Sequence, residues 1–425
     1  MDLNENDCCR WGPKVIDSGR SLKQKLYLSE QTDGSEPNKL VLVTAEISKS
    51  RKSLETLSTW SDQAQNKSIS KPIKTLYHPG EVNKLLELPQ HPNIVITHSD
   101  TPEIFVWNFD TQRDKRDAYS NHSMSIPDVT LIGHTEDAEF ALGTCNIASK
   151  VASGGKDRAV LVWDIGDHVT GASKKGGHLQ PRAQLYGHTN TVEDVTFKPR
   201  SMFELASVAD DYSLMLWDTR FGSDPAASVP NAHGSLDVHC CDWSELMPHL
   251  ILSGAQDGGV MVWDARKLSE PLKALHHHTK AVMNVEWSHH APGVFASGAD
   301  DGFVCIWDLN ISSSKRENES INKRLQVPAQ EELIFQHAGH KSPVVDFCWN
   351  PDDPWMLMSA SVDTSSSGGG TLQLWRVSDL IFRKEEEVLA ELEPYKEYIA
   401  TGSEKVLSKK RKEMEAAGRE AQEEA

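Results

Sequence analysis

Gly187-His188-Thr189, then Ser207-Val208-Ala209-Asp210-Asp211, then Leu214-Met215-Leu216-Trp217-Asp218, place a serine 19 residues after a histidine, an aspartate four later and a tryptophan six beyond that. The same set returns as His134, Ser153, Asp157, Trp163; as His233, Ser253, Asp257, Trp263; and as His278, Ser297, Asp301, Trp307. A degenerate copy runs from His78 through Thr97 and Thr101 to Trp107-Asn108, and a looser one from His340 to Trp375, interrupted by a Ser/Gly-rich insert at 364–370. In the first five copies the histidine precedes the tryptophan by 29 or 30 residues. Self-similarity at a fixed period marks an architecture made of one repeated supersecondary unit. Ala159-Val160-Leu161-Val162-Trp163 and Phe303-Val304-Cys305-Ile306-Trp307 are short β-branched and aromatic runs after Asp/Gly turns, so the unit is made of strands.

Four units end in Trp-Asp, and Gly-His opens those at His134 and His188, which is the signature of a WD-repeat blade of four antiparallel strands. In such a blade the serine falls on the second strand, the aspartate in the following turn and the tryptophan on the third strand. There they can bond in series with the histidine and set the register. Each polar group would cost roughly 1–3 kcal/mol if buried unpaired. A Ser/His/Asp set also suggests a hydrolase, but a nucleophile is needed once and this set recurs at equivalent places. Lys25-Leu26-Tyr27-Leu28, Leu40-Val41-Leu42-Val43 and Ile73-Lys74-Thr75-Leu76 read as a further, divergent blade. The expected fold is therefore all-β: a seven-bladed β-propeller. Residues 8–13 are the only candidate for an outer strand that would close the last blade from the N-terminus and cover its edge. They stand almost at the chain end, so a short closure and missing upstream sequence are expected.

The expected organisation is an N-terminal segment 1–24, a propeller 25–379, a helix 380–400 suggested by Leu380, Ile381, Val388, Leu389 and Leu392, and a charged tail 401–425. The helix is expected to pack on the ring. No run of 18 apolar residues exists, and Met1-Asp2-Leu3-Asn4-Glu5 is acidic where a secretion signal would be basic, so neither membrane spanning nor export is expected. Seven cysteines, mostly in strand-like runs, read as buried reduced thiols. His276-His277-His278 and His239-Cys240-Cys241 lack paired metal-ligand spacing, and Gly368-Gly369-Gly370 opens no helix, so no metal, cofactor or enzyme activity is expected. Forty-four basic against 62 acidic residues give a net charge of -18, which disfavours nucleic acid and suits basic proteins, and is equally read as solubility alone. Ser408-Lys409-Lys410-Arg411-Lys412 is similar to a basic nuclear-import signal and points to the nucleus.

His78-Pro79-Gly80-Glu81-Val82-Asn83, Val192-Glu193-Asp194-Val195 and Asp346-Phe347-Cys348-Trp349-Asn350 resemble the retinoblastoma-binding, MSI-type histone-binding proteins. The resemblance covers roughly residues 9–392. Leu26-Tyr27-Leu28-Ser29-Glu30-Gln31-Thr32-Asp33-Gly34 and Gln336-His337-Ala338-Gly339-His340 are most similar to the plant FVE-like branch, linked to histone-deacetylase and Polycomb-type repression and to flowering control. The resemblance implies an acidic cup on the narrow top face that receives a histone tail or a similar basic corepressor peptide. The matching residues are Glu81, Asn83, Glu139, Phe140, Glu193 and His239. Carboxylates suit the task because charge-assisted hydrogen bonds are the strong ones; each of them is equally read as a solvated loop charge. Ala281, Met283 and Val362 stand where the family carries an acid, an aromatic and another acid, so weaker or altered tail selectivity is expected. The family's side groove for a histone helix is expected to be incomplete, since its N-terminal helix would precede this chain. The loop 310–332 also carries Lys315, Arg316, Lys323 and Arg324, with Glu331 and Glu332 at its end.

A second reading rests on Trp217-Asp218-Thr219-Arg220 and Trp263-Asp264-Ala265-Arg266, which are similar to the Trp-Asp-x-Arg box by which some propellers dock on the adaptor of a cullin-type ubiquitin ligase. The arginines would project from the bottom edge, away from the cup. They are equally read as tolerated turn residues.

Overall fold

The structure, a computed structural model, describes residues 8–17, 21–32, 36–48, 69–115, 123–138, 140–169, 176–311, 332–362, 371–378, 381, 385–393 and 396. Glu139, the loop 312–331 and the insert 363–370 lie outside the described residues, as does the tail 401–425. The strands form seven sheets. Their innermost strands are Cys9–Asp17, Lys84–Leu88, Leu142–Thr144, Val192–Phe197, Val238–Trp243, Val282–Trp287 and Val344–Trp349, and each touches the next around a closed ring. This is the expected seven-bladed propeller.

Within a blade the strands run antiparallel from the centre outward. In the fourth, Val192–Phe197 pairs with Glu204–Ala209, which pairs with Leu214–Asp218, then Ala227–Val229. Apolar residues fill both faces of the middle strands, because each blade is sandwiched between two others. The core therefore lies in layers between blades. One layer joins Val160, Val162 and Ala152 of the third blade to Val192, Val195 and Leu205 of the fourth. Gly154 and Gly254, each next to a network serine, sit where an added Cβ would lie 2.4 Å and 2.6 Å from Val192 and Val282 of the following blade. A side chain there would force the blades apart.

Two features depart from expectation. Residues 8–13 do not cover the last blade. They begin the strand Cys9–Asp17, which pairs with Ser21–Glu30 as the innermost strand of the first blade. Among the described residues the last blade keeps three strands, Val344–Trp349, Met356–Ser361 and Thr371–Arg376. The ring closes at its centre instead. The Asp346 carboxylate accepts from Cys9 N (3.0 Å) and from the buried Arg10 guanidinium (2.5 Å), and Trp11 Nε1 donates to Cys348 O (3.2 Å). Three other seams use the same device: Asp194 accepts from Cys241 N, Asp242 from Trp287 N and Glu286 from Trp349 N, at 2.8–3.0 Å. The second departure is that the second blade gains a fifth strand, Gly177–Leu179. It arrives from the third blade's outer connection and pairs in parallel with Val129–Leu131.

The polar network is present with two variations. His188 bonds Asp211 (3.0 Å) and Ser207 (2.7 Å), and Trp217 Nε1 donates to Ser207 Oγ (2.8 Å). His278, Asp301, Ser297 and Trp307 repeat this. Thr97 serves both His78 and Trp107 in the degenerate copy, while Gly80 O replaces an acid. In the fifth blade His233 reaches Ser253 (2.7 Å) but stands 4.0 Å from Asp257, and its Nδ1 has no partner. The cause is one extra residue between His233 and Ser253, with Gly234 turning at a φ of 70° where the other copies place a threonine N–H on the aspartate. In the third blade His98 occupies Ser153 Oγ (3.1 Å), and Trp163 turns to Ile132 O (3.2 Å).

Outside the ring's unit, the described helix is Glu385–Leu392, within the span 380–400. No helix among the described residues is long and apolar enough to cross a membrane.

Candidate functional site

Alternating strand direction puts the start of each innermost strand and the turn after the second strand at the same end of a blade. The seam bonds join matching levels of neighbouring innermost strands, so these ends share one face of the ring. Glu193 and His239 open the fourth and fifth innermost strands there. Glu81 and Asn83 lie just before Lys84–Leu88 and Phe140 just before Leu142–Thr144. Phe140 and Met283 are exposed, at 44% and 37%.

The structure brings Glu193 and His239 together and adds Asp210, which sequence reading missed. Polar atoms of the three lie within 4.8 Å of one another, all half-buried. Asp210 is held by its own N–H on Thr191 O (3.0 Å), and Asp300 in the sixth blade repeats this on Ala281 O (3.0 Å). Burial and then the neighbouring Asp237 push the Asp210 carboxyl upward, while His239 and a bond with Glu193 oppose them. Burial likewise raises Asp300, against Lys280 and His239. Two carboxyl groups in hydrogen-bonding contact cannot both ionise at no cost; a shared proton or an incoming cation relieves them. The available signal was the doubled acid, Asp210-Asp211 and Asp300-Asp301, in which the second member serves the histidine and the first is left for the face.

Glu81 is exposed, its N–H on Asp100 Oδ1 (3.2 Å), and Asn83 is half-buried, its N–H on His98 O (3.0 Å). Both lie on the same face as the Glu193 cluster, two blades away. Glu193, Asp210 and His239 are the group among the described residues that could hold a metal ion. His276-His277-His278 and His239-Cys240-Cys241 do not converge in the same way. His278 is committed to Ser297 and Asp301, and Cys240 and Cys241 are buried while His239 is half-exposed.

On the opposite face, Arg220 folds onto Asp218 through two bonds of 2.9 and 2.6 Å, and Arg266 onto Asp264 at 2.8 and 2.6 Å. These forks hold both aspartates below the usual carboxylate range. Trp217 and Trp263 are buried behind them, whereas the arginine side chains are 50% and 70% exposed. Arg220 also lies over the Phe203 and Phe221 rings, 5.3 and 5.4 Å from their centroids.

Blades of this register, with their His–Ser–Trp bonds, define a WD-repeat propeller, a fold whose faces are platforms for other proteins. The model of the WD domain, G-beta repeat, matches residues 179–218, 227–264, 269–308 and 331–376. The WD-40 repeat-containing protein MSI4 of Arabidopsis thaliana is 45% identical over 419 residues, covering 92% of this chain and 81% of the relative. The chain belongs to the MSI family of WD-repeat proteins.

Proposed function

We propose that this protein is a non-enzymatic, chromatin-associated scaffold of the nucleus whose acidic top face receives a basic histone tail or a corepressor peptide of like chemistry. The observation that carries the reading is the convergence of Glu193, Asp210 and His239 beside Asp237 and Asp300. Carboxyl groups held this close gain from an arginine or lysine that enters between them. Glu81, Asn83, Glu139 and Phe140 extend the cup in this reading. The resemblance to the FVE-like branch supports membership of a histone-deacetylase or Polycomb-type repressive complex and a role in developmental timing such as flowering. Calorimetric titration of an unmodified histone-tail peptide at fixed salt tests it. A charge-assisted contact is worth about 1.5–3 kcal/mol, so Glu193→Lys is expected to weaken binding at least tenfold, since about 1.4 kcal/mol is one decade. Unchanged affinity in a folded Glu193→Lys protein would remove the cup as the site.

A second reading is favoured by the Arg220 and Arg266 forks, built alike in adjacent blades and exposed on the face away from the cup. They would dock on a cullin-ligase adaptor. Co-purification of adaptor and cullin, lost in the Arg220→Ala/Arg266→Ala double variant, is the expected result; histones and deacetylase subunits alone would count against it.

A further inference from the structure

All seven cysteines are buried thiols, and two of them lie at the seam between the first and last blades, where the ring closes. Cys9 stands on the innermost strand of the first blade and Cys348 on that of the last. Cys348 Sγ donates to Cys9 O at 3.4 Å, which brings its side chain onto Cys9. Both belong to the apolar layer with Leu26, Met356 and Met358. Their placement is held on either side: Cys9 N is fixed on Asp346 and Trp11 Nε1 on Cys348 O. Cys8 faces away, its thiol on Asn83 O (3.1 Å) in the second blade, and Cys240 donates to Val282 O (3.6 Å).

Cys348 lines the central channel, a cavity of about 260 Å³ walled by the innermost strands, together with Arg10, Lys84 and Asp194. A small oxidant fits such a space. We infer that Cys9 and Cys348 form a redox clasp: hydrogen peroxide entering the channel oxidises the pair to a disulfide that locks the first blade to the last. Cys348 attacks one peroxide oxygen as thiolate, the O–O bond breaks, and water leaves after taking up a proton. The resulting sulfenic acid is then attacked by the Cys9 thiolate, which forms the S–S bond and releases a second water. Two thiols lose two electrons and two protons in all, and one peroxide becomes two waters. The neighbouring Cys348 thiol and then burial raise the Cys9 thiol, burial raises the Cys348 thiol, and the adjacent Arg10 guanidinium opposes both shifts, so thiolate is scarce and the reaction is slow.

The test uses the full chain, reduced, freed of reductant, exposed to hydrogen peroxide, then unfolded into N-ethylmaleimide and digested without reduction. The expected product is a cross-linked peptide pair joining Cys9 to Cys348, with faster migration on a non-reducing gel that dithiothreitol reverses. Cys8→Ser should keep the link and Cys348→Ser should abolish it. The urea midpoint should rise on oxidation of the wild type only when the link forms. The inference is overturned if both cysteines are recovered as maleimide adducts at a peroxide dose that converts the exposed Met124 and Met283 to sulfoxides, or if either is linked to another cysteine. Mapping of the wild type decides the matter even if Cys348→Ser does not fold.

Discussion

Asp211→Ala and Asp257→Ala are the same change at the same place in adjacent blades, yet they should differ several-fold in cost. The Asp211 carboxylate accepts from His188 Nδ1 (3.0 Å), Thr189 N (2.8 Å), Ser213 Oγ (2.5 Å) and Ser213 N (3.1 Å). Its removal leaves a buried imidazole N–H without its acid, a loss of roughly 1–3 kcal/mol, with the turn's N–H bonds lost in addition. Burial alone would push the Asp211 carboxyl up, but the bonds from His188 and Ser213 outweigh it and hold it at about 2 against an ordinary 3.8. A folded value below the unfolded one stabilises by roughly 2 kcal/mol at neutral pH. That contribution is complete above pH 3.8 and lost as the pH falls towards 2. Both figures describe the same bonds, and the expected loss is about 2–3 kcal/mol. Asp257 accepts only Gly259 N (2.8 Å), and His233 Nδ1 already lacks a partner, so Asp257→Ala should cost about 0.5 kcal/mol. Urea unfolding at pH 7.5, with the slope m checked for constancy, measures both. Equal midpoints for the two variants would refute the assignment of stability to the His–Asp bond.

Burial lowers His233 to about 4, so the folded state refuses a proton that the unfolded chain accepts below about pH 6.5; its contribution is neutral above that value and turns unfavourable as the pH falls. His233→Gln removes this term, and its measured cost should shrink by about 1.3 kcal/mol between pH 7.5 and 5.5; a pH-independent difference would contradict it. The wild-type midpoint carries further terms of both signs, since burial lowers His78 and His340 to about 4 as well, so the difference between variant and wild type is what reads His233. Asp242, which burial raises to about 7, and His289, which Glu286 raises to about 9 against its burial, both gain stability as the pH falls. Asp346→Ala leaves Arg10 buried without its acid and frees Cys9 N and Asn284 Nδ2, so a loss of about 3–5 kcal/mol is expected. A loss below 1 kcal/mol in urea unfolding would mean that the seam is not closed by this group.

Period carried most of the fold. The His-to-Trp spacing and the fixed offsets of Ser207 and Asp211 placed the second strand, its turn and the third strand, because a hydrogen-bonded network tolerates no change in register. Even the failure in the fifth blade was visible, as the one 30-residue spacing among the five regular copies, with Gly234 in place of a threonine. What stayed hidden depends on partners far apart in sequence. His98 displaces Trp163 from Ser153 across 55 residues, and nothing near Thr97-His98 announces it. Residues 8–13 read equally well as an outer or an inner strand, because short apolar runs carry no information about which edge they join. Asp346, 337 residues from Cys9, decides the matter.

The same distinction governs how the charge of -18 bears on function. Asp194, Asp242, Glu286 and Asp346 are consumed in joining blades, Asp157, Asp211 and Asp301 in holding histidines, and Asp218 and Asp264 in forks with their own arginines. None of these nine is available to a ligand without loss of a structural bond, so the total overstates the attraction for a basic partner. Acids on the top face with no such duty include Asp210 and Asp300, together with Glu193 beside Asp210 and the exposed Glu81. Burial keeps Asp210 and Asp300 reluctant to ionise in the free protein. A cation arriving at the cup offsets that cost, so the affinity for a basic peptide should fall as the pH is lowered into the carboxylate range, where these acids take up protons. Calorimetric titration at a series of pH values reads the fall directly. An affinity unchanged by acidification would place the basic peptide elsewhere.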